Sequence, residues 1–310
     1  MGGGGGSFFS GTRTPREFAE ELREHQGNDP TTAAYNVEVA SLLNELLADA
    51  NSRDAKLARE RIDSVLLSLD DAFEESFTSL MGGSVAKHTY VDGLSDVDAL
   101  VVVNGTQFEG TKPESVLAQF ASVLGKENPD AEVSVGKMAV TMRFNDGMEL
   151  QLLPAIRTST GLRIPSSRTE EWSNVVKPKK FQETLSHLNN LCGSKLVPTI
   201  KLAKSVIAGL PSDNRLSGYH IESLAIEVFK NYRGVHTTKE MLPHFFRQAK
   251  GLVAQPIADS TGQSRHVDDY LGPSGSPMRR DSELLLDRIS KRFDVAEATR
   301  SVQQWRMVFE

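Results

Sequence analysis

The spacing of apolar positions changes along this chain and divides it into three parts. Between residues 32 and 79 they recur every three or four residues, which predicts one or two amphipathic helices. Residues 97–103 form a short, β-branched apolar run that is typical of a buried strand. From residue 178 the helical spacing returns and continues almost to the end of the chain. The pattern therefore predicts helices, then a small sheet, then a helical half.

Further elements are predicted on both sides of this division. Pro113 opens a helical segment over residues 113–126, and Asn145-Asp146-Gly147 joins two predicted strands, 131–144 and 147–154, as a hairpin. The helical half is predicted to contain five helices, over residues 178–191, 195–209, 217–231, 238–254 and 281–299. A long polar loop, 256–280, precedes the last of them.

Three units follow from this order of elements. Residues 1–14 read as a flexible glycine-rich arm, and residues 15–175 as a sheet-containing lobe with N-terminal helices, the first over 15–26. Residues 176–310 form a helical C-terminal lobe. We predict an α+β, bilobal fold in which a small mixed sheet and the helical lobe enclose a cleft, a common position for a ligand.

Composition and charge narrow the classes of protein. The 310 residues carry a net charge of −6, which argues against a stable nucleic-acid partner. No apolar run reaches the roughly 20 residues of a membrane span, so no membrane association is expected. The single cysteine, Cys192, excludes a disulfide within the chain and a cysteine-rich zinc module. It also predicts a reducing, cytoplasmic location.

The candidate chemistry lies in GGSVAKHTYVDGLSDVDALVVV, residues 82–103. Alternate residues of a strand share a face, so Asp96 and Asp98 are expected to project together. Two carboxylates so close are stabilised by a divalent cation such as Mg²⁺, which also binds phosphate oxygens. Upstream, Gly83 and Ser84 can form a turn whose N–H groups and hydroxyl bind a phosphate. The Gly-Ser turn and the Asp-x-Asp pair are each common in proteins as solvated turns. Their order and spacing make the combined pattern specific.

This order of Gly-Ser, spacer, Asp-x-Asp and apolar strand resembles the signature of nucleotidyltransferases of the DNA polymerase β type. Within that superfamily the chain resembles the bacterial cGAS/DncV-like nucleotidyltransferases, the oligonucleotide cyclases of anti-phage CBASS systems. Three further stretches carry the likeness: MELQLLPAI at 148–156, RLSGYHIESLAIEVF at 215–229 and ADSTGQSRHVDDYLG at 258–272. The resemblance implies a polymerase β-like fold, with residues 15–175 as the catalytic lobe and 176–310 similar to the helical lobe of oligoadenylate synthetases.

The resemblance also implies a reaction. Such enzymes condense NTPs, ATP among them, into a cyclic oligonucleotide second messenger and release pyrophosphate, using two Mg²⁺ or Mn²⁺ ions. Asp96 and Asp98 would be catalytic residues and metal ligands. The family pattern has its third acid three residues before a proline, where this chain has Gln151. Glu149 lies on the same strand face, and we predict it as the third ligand; the alternatives are a two-acid site and a weakened enzyme.

Nucleotide contacts are implied for a second set of residues. These are Gly83, Ser84, Gln151, Lys201, Lys204, Ser217 and Tyr219. Lys201 or Lys204 would bind the γ-phosphate, Ser217 would cap a helix and contact phosphate, and Tyr219 would stack on a base. The structural alternatives are a solvated lysine and a core tyrosine.

Two other functions fit the same motifs. The first is a nucleotidyltransferase that modifies an RNA or protein acceptor. The second is a catalytically silent nucleotide sensor, for which the amide of Gln151 is the sequence support. A regulatory protein partner is compatible with any of the three.

Overall fold

The computed structural model describes residues 30–49, 55–73, 77–81, 97–103, 108, 110–166, 169–176, 178–211, 213, 215–259 and 266–310. The helices in these ranges are α1 Pro30–Asp49, α2 Ala55–Phe73, α3 Pro113–Glu127, α4 Pro178–Leu191, α5 Leu196–Ala208, α6 Gly218–Phe229, α7 Thr238–Leu252, α8 Pro277–Ala298 and α9 Val302–Phe309. The strands are β1 Phe77–Met81, β2 Val97–Val103, β3 Ala131–Val135, β4 Val140–Phe144, β5 Glu149–Arg157 and β6 Leu162–Arg163.

The strands form one mixed sheet in the order β1-β2-β5-β4-β3, with β6 paired to β5. Strands β2 and β5 run parallel, and the other pairs are antiparallel. One face of the sheet packs against helices α2 and α3 through Ala99, Val101, Leu150 and Leu152. Because side chains alternate along a strand, the intervening residues lie on the opposite face: Asp98, Leu100 and Val102 of β2, and Gln151, Leu153 and Ala155 of β5.

The described residues form a smaller apolar cluster on that opposite face. This cluster contains six buried residues, among them Leu100, Val102 and Ala155, and the segment 162–176 supplies the others. The cluster occupies the later part of β2 and β5, where both strands are apolar. The first residues of these two strands, Asp98, Glu149 and Gln151, carry polar side chains instead.

The largest core belongs to the helices. It contains residues from α1 and from every helix from α4 to α9. Helix α1 therefore packs in the helical half, whereas α2 packs on the sheet. The two N-terminal helices that the sequence assigns to the lobe 15–175 divide between the two cores. The boundary at 175/176 stays a prediction.

The α+β architecture with a small mixed sheet and a helical half is confirmed, but one predicted strand is wrong. Residues 131–144 form two strands, β3 and β4, which are joined by a turn closed by a bond from Gly136 N–H to the Ala139 carbonyl, 2.8 Å. The hairpin at Asn145-Asp146-Gly147 is confirmed, and Gly147 adopts φ +83° there. The arm 1–14 and the helix 15–26 lie outside the described residues.

Boundaries near the C-terminus also differ from the prediction. Helix α8 begins at Pro277, capped by Ser276, so the predicted loop 256–280 ends earlier than expected. A separate last helix, α9, follows. None of the helices in the described part of the chain combines the length and apolarity that a membrane crossing needs.

Candidate active site

Strand β2, which contains Asp98, pairs in parallel with β5, which contains Glu149 and Gln151. Asp98 pairs with Gln151, and Val97 pairs with Leu150. Residues paired in this way lie on the same face of a sheet, and two-residue alternation adds Glu149 to that face. Gly83, Ser84 and Asp96 lie outside the described residues, so their part in the site stays a prediction. The structure thus places the strand that contains Asp98 beside the strand that contains Glu149 and Gln151.

Glu149 is held by a cation from the neighbouring strand. Its Oε2 accepts hydrogen bonds from Arg143 Nη2 at 2.9 Å and Nε at 3.2 Å, and Arg143 stands directly opposite on β4. The carboxylate of Glu149 is only partly buried. Gln151 is the residue opposite Asp98, and Thr141 flanks it on the other side. The predicted third carboxylate, Glu149, therefore lies two residues before Gln151 on β5, and the residue paired with Asp98 is the amide.

Lys204 is buried rather than solvated. Its ammonium lies 2.8 Å from Glu222 Oε1, and the two side chains are 5% and 1% exposed. A Cβ placed on Gly218 would lie 3.4 Å from Lys204 Nζ, so the ammonium lies beside the first turn of α6. Lys201, one turn earlier on α5, is partly buried. Burial, followed by the charge of Lys204, lowers the pKa of Lys201.

Ser217 lies next to this cation and caps α6, as predicted. Its Oγ accepts a hydrogen bond from the His220 N–H at 3.2 Å, and its own N–H donates to the Tyr270 hydroxyl at 3.1 Å. The structure thus brings Lys204 and Ser217 together at one helix N-terminus. The positive end of a helix dipole, a hydroxyl and a lysine form an arrangement suited to an anion.

Tyr219 is fixed at both ends of its side chain. Its hydroxyl donates to Asp259 Oδ1 at 2.7 Å, and its ring lies 4.9 Å from the Phe181 ring at a tilt of 54°. The ring is not fully buried. Stacking of Tyr219 on a base stays a prediction.

Behind the start of α6 is a polar network that the motifs did not assign to the site. It is buried at His220, Asp268 and Arg279 and exposed at Tyr270. The Tyr270 hydroxyl lies 2.9 Å from His220 Nδ1, His220 Nε2 lies 3.5 Å from Asp268 Oδ2, and Asp268 Oδ2 accepts from Arg279 Nη1 at 2.7 Å. The Ser217 N–H also donates to the Tyr270 oxygen, so Tyr270 joins the cap of α6 to His220.

This environment keeps His220 neutral. Burial, opposed by the charge of Asp268 and assisted by that of Arg279, lowers the pKa of His220 to about 4. In the sequence, two members of this network, Asp268 and Tyr270, lie in the segment RHVDDYLG. Arg279 lies 11 residues beyond Asp268. Asp268 is also held by the Ile257 N–H at 3.1 Å, which ties the long loop to α6 and α8.

The described residues contain no cluster of three or more His, Cys, Asp or Glu side chains that could hold a metal ion. A cavity of about 340 Å³ opens between the start of α3, the β3–β4 turn and four residues that follow β6, namely Pro165, Ser166, Thr169 and Glu170. None of the predicted site residues that the structure describes lines this cavity.

A small mixed sheet, in which the strand containing Asp98 pairs in parallel with the strand containing Glu149 and Gln151, is joined to a helical half. This architecture matches the polymerase β-like fold of nucleotidyltransferases. Residues 38–189 match the model of a family described as the Second Messenger Oligonucleotide or Dinucleotide Synthetase domain. Residues 38–189 therefore form a domain of this family of cGAS/DncV-like nucleotidyltransferases, as the motifs of the chain predict. A comparison with curated protein sequences finds no match.

Three solved structures share the fold. The chain is similar to Escherichia coli MS115-1 CdnC with ATP, at 16% identity and TM-score 0.63 over 81% of this chain and 90% of that one. It is similar to the Bradyrhizobium diazoefficiens CD-NTase CdnG in complex with GTP, at 15% identity and TM-score 0.65, over 91% and 95%. It is also similar to the Vibrio cholerae DncV cyclic AMP-GMP synthase, at 12% identity and TM-score 0.61, over 96% and 91%.

Proposed function

We propose that this protein is a metal-dependent nucleotidyltransferase that condenses NTPs into a cyclic oligonucleotide second messenger for anti-phage CBASS signalling, with release of pyrophosphate. The observation that carries the proposal is the cationic N-terminus of α6. Lys204 and Ser217 meet there in a chain whose domain family is named for oligonucleotide and dinucleotide synthesis. A triphosphate has the charge and the acceptor oxygens that this end of the helix attracts.

The carboxylates suit a hard divalent cation. Asp96, Asp98 and Glu149 supply oxygen ligands of the kind that Mg²⁺ and Mn²⁺ prefer, and Asp98 shares its sheet face with Glu149. We keep Glu149 as the proposed third ligand because the amide of Gln151 carries no negative charge. Bound ions of this class neutralise phosphate charge and promote attack by a hydroxyl.

The remaining residues bind and orient substrate in this proposal. Gly83, Ser84 and Gln151 contact the nucleotide on the sheet side. Lys201, Lys204 and Ser217 bind the phosphates on the helical side, and Tyr219 stacks on a base. Related structures contain ATP and GTP, which supports NTP substrates. A CdnC:HORMA-deltaN complex among them supports a regulatory protein partner. A cytoplasmic location fits the free, buried thiol of Cys192.

One observation favours a second candidate, a nucleotide sensor without catalysis. Arg143 neutralises Glu149, and an amide stands opposite Asp98, so the negative charge available for cations is reduced. Such a protein would bind NTPs and release no pyrophosphate. A transferase that modifies RNA or protein would consume NTP only when an acceptor is present.

Incubation with radiolabelled NTPs separates these candidates. The protein is mixed with all four NTPs and Mg²⁺ or Mn²⁺, treated with phosphatase, and the products are resolved and weighed by mass spectrometry. We expect a phosphatase-resistant cyclic species of a few nucleotides. The Asp96→Ala/Asp98→Ala variant is the control and should make none. The assay is repeated with added RNA and with a HORMA-type protein. The proposal is contradicted if the protein binds NTP but forms neither product nor pyrophosphate under any of these conditions.

A further inference from the structure

Glu222 stands out because it is a fully buried carboxylate on α6, where its buried polar neighbours His220 and Ser223 carry no negative charge. It is 1% exposed and pairs with Lys204 of α5, which is 5% exposed. Removing two opposite charges from water costs free energy that their attraction only partly offsets, so a buried pair is a poor source of stability. Its presence at this position calls for another explanation.

The position of the ammonium supplies that explanation. Lys204 Nζ lies beside Gly218 in the first turn of α6, where the helix dipole is positive and repels a cation. Lys201 adds a second positive charge, and burial together with Lys204 lowers its pKa. Glu222, four residues and about one turn beyond Gly218, supplies a negative charge to the Lys204 ammonium from within the helix, at 2.8 Å.

We propose that Glu222 is a positioning residue of the triphosphate site: it keeps the Lys204 ammonium charged and holds it over the first turn of α6, where the terminal phosphates of an NTP bind. The inference rests on the proposed function and deepens it. A buried lysine without a partner tends to lose its proton, and a neutral amine attracts phosphate poorly. An ammonium has three N–H donors, so it can bond Glu222 and still donate to phosphate.

The test is Glu222→Gln, which removes the charge and keeps the shape. The probes are 2′,3′-dideoxy-ATP and 2′,3′-dideoxy-AMP, which have no hydroxyl to react and differ in their terminal phosphates. We expect the Kd for dideoxy-ATP to rise about tenfold or more, as for loss of a charged hydrogen bond, while the Kd for dideoxy-AMP stays within about twofold. Titration calorimetry measures both.

Glu227→Gln is the matched control. It makes the same chemical change on the same helix at an exposed carboxylate that pairs with Lys230. Its affinities for both probes should equal those of the unchanged protein. Glu222→Asp keeps the charge and should recover part of the lost affinity for dideoxy-ATP.

A cycle with Lys204→Met shows whether Glu222 acts through the lysine. Lys204→Met should weaken dideoxy-ATP binding, and adding Glu222→Gln to it should change the Kd by no more than about twofold. The double variant contains no unpaired buried charge, so it should fold even if Glu222→Gln alone does not. Thermal melting verifies the fold of each variant.

Several outcomes would overturn the inference. These are unchanged dideoxy-ATP affinity in Glu222→Gln, an equal loss for both probes, and a further large loss when Glu222→Gln is added to Lys204→Met. Equal affinity of the unchanged protein for both probes would overturn it as well. If the unchanged protein prefers dideoxy-ATP but makes no oligonucleotide, the proposed function fails and the role of Glu222 stands.

Discussion

His220 is a histidine whose protonation state is decided by the groups around it. It is fully buried, with the Tyr270 hydroxyl at Nδ1 and the ion pair of Asp268 and Arg279 on the side of Nε2. Within the described residues its Nε2 has no hydrogen-bond partner, although Asp268 Oδ2 lies 3.5 Å away. A weak contact of this kind does not offset the cost of burying a charged imidazole. His220 thus orients the start of α6 as a neutral group.

The pH dependence of stability follows from this burial. The pKa of His220 is about 4 in the folded chain against an ordinary 6.5, so the unfolded chain binds more protons between these values. We expect the free energy of unfolding to be highest above pH 6.5 and to fall as the pH drops towards 4. Burial also lowers the pKa of His244, which adds a smaller change of the same sign. Urea unfolding at several pH values measures the slope.

His220→Gln removes the titrating group, so it should flatten this slope even if it lowers stability at every pH. The exposed His187→Gln is the control and should keep the slope. A slope that is the same in the unchanged protein and in His220→Gln would contradict this interpretation. Asp268, whose pKa lies below the ordinary 3.8, loses its contribution only at lower pH.

At the scale of elements, the parallel pairing of β2 and β5 decides which side chains can act together. The motif places acids at the start of one strand, and the register sets Asp98 opposite Gln151 and Arg143 opposite Glu149. The sequence pattern located both strands. Arg143 is the cross-strand partner of Glu149 in the predicted hairpin at Asn145-Asp146-Gly147, so assigning a register to that hairpin would have found it.

The same register yields a prediction about the third metal ligand. Glu149→Gln should lower turnover on the order of 100-fold, because it would remove a metal ligand and not merely a residue that holds a ligand in place. Gln151→Ala should lower turnover by less than about tenfold. Steady-state rates in Mg²⁺ and in Mn²⁺ measure both effects, and NTP titration checks that binding is retained. The reverse order of effects would assign the third position to Gln151.

The strand 131–144 was misread for a local physical reason. Apolar residues continue on both sides of Gly136-Lys137, so the run appears unbroken when only its hydrophobicity is considered. The structure folds it back at Gly136, and Val135 pairs with Val140. A glycine inside a strand pattern is a weak signal for such a turn, and β3 becomes the edge of the sheet.

At the scale of the whole molecule, the first described helix is joined to the last two. Trp305 Nε1 of α9 donates to the Tyr35 hydroxyl of α1 at 2.8 Å and to Glu297 Oε1 of α8 at 3.2 Å. Lys239 of α7 holds the same Glu297 at 2.9 Å. Positions 270 residues apart in the chain thus close one buried network.

Trp305→Phe should therefore destabilise the protein. It retains an aromatic ring but removes the donor to Tyr35 and Glu297, and an unsatisfied buried group costs about 1–3 kcal/mol. Urea unfolding should show a loss of that size. Met307→Leu, on the exposed face of the same helix, is the control and should change the free energy of unfolding by less than about 0.5 kcal/mol. A Trp305→Phe protein as stable as this control would show that the network does not stabilise the fold.

The sequence alone determined what depends on local order: the helices with regular apolar spacing, the strand after Asp96-Val-Asp98, the hairpin at Asn145-Asp146-Gly147, the cap at Ser217 and the family. These follow from backbone propensities and from motifs whose residues are close in the chain. Only the tertiary structure decided that α1 joins the helical core and that Glu222 binds Lys204. Each of these contacts joins separate elements, so its formation depends on how those elements pack and not on the spacing of residues within either one.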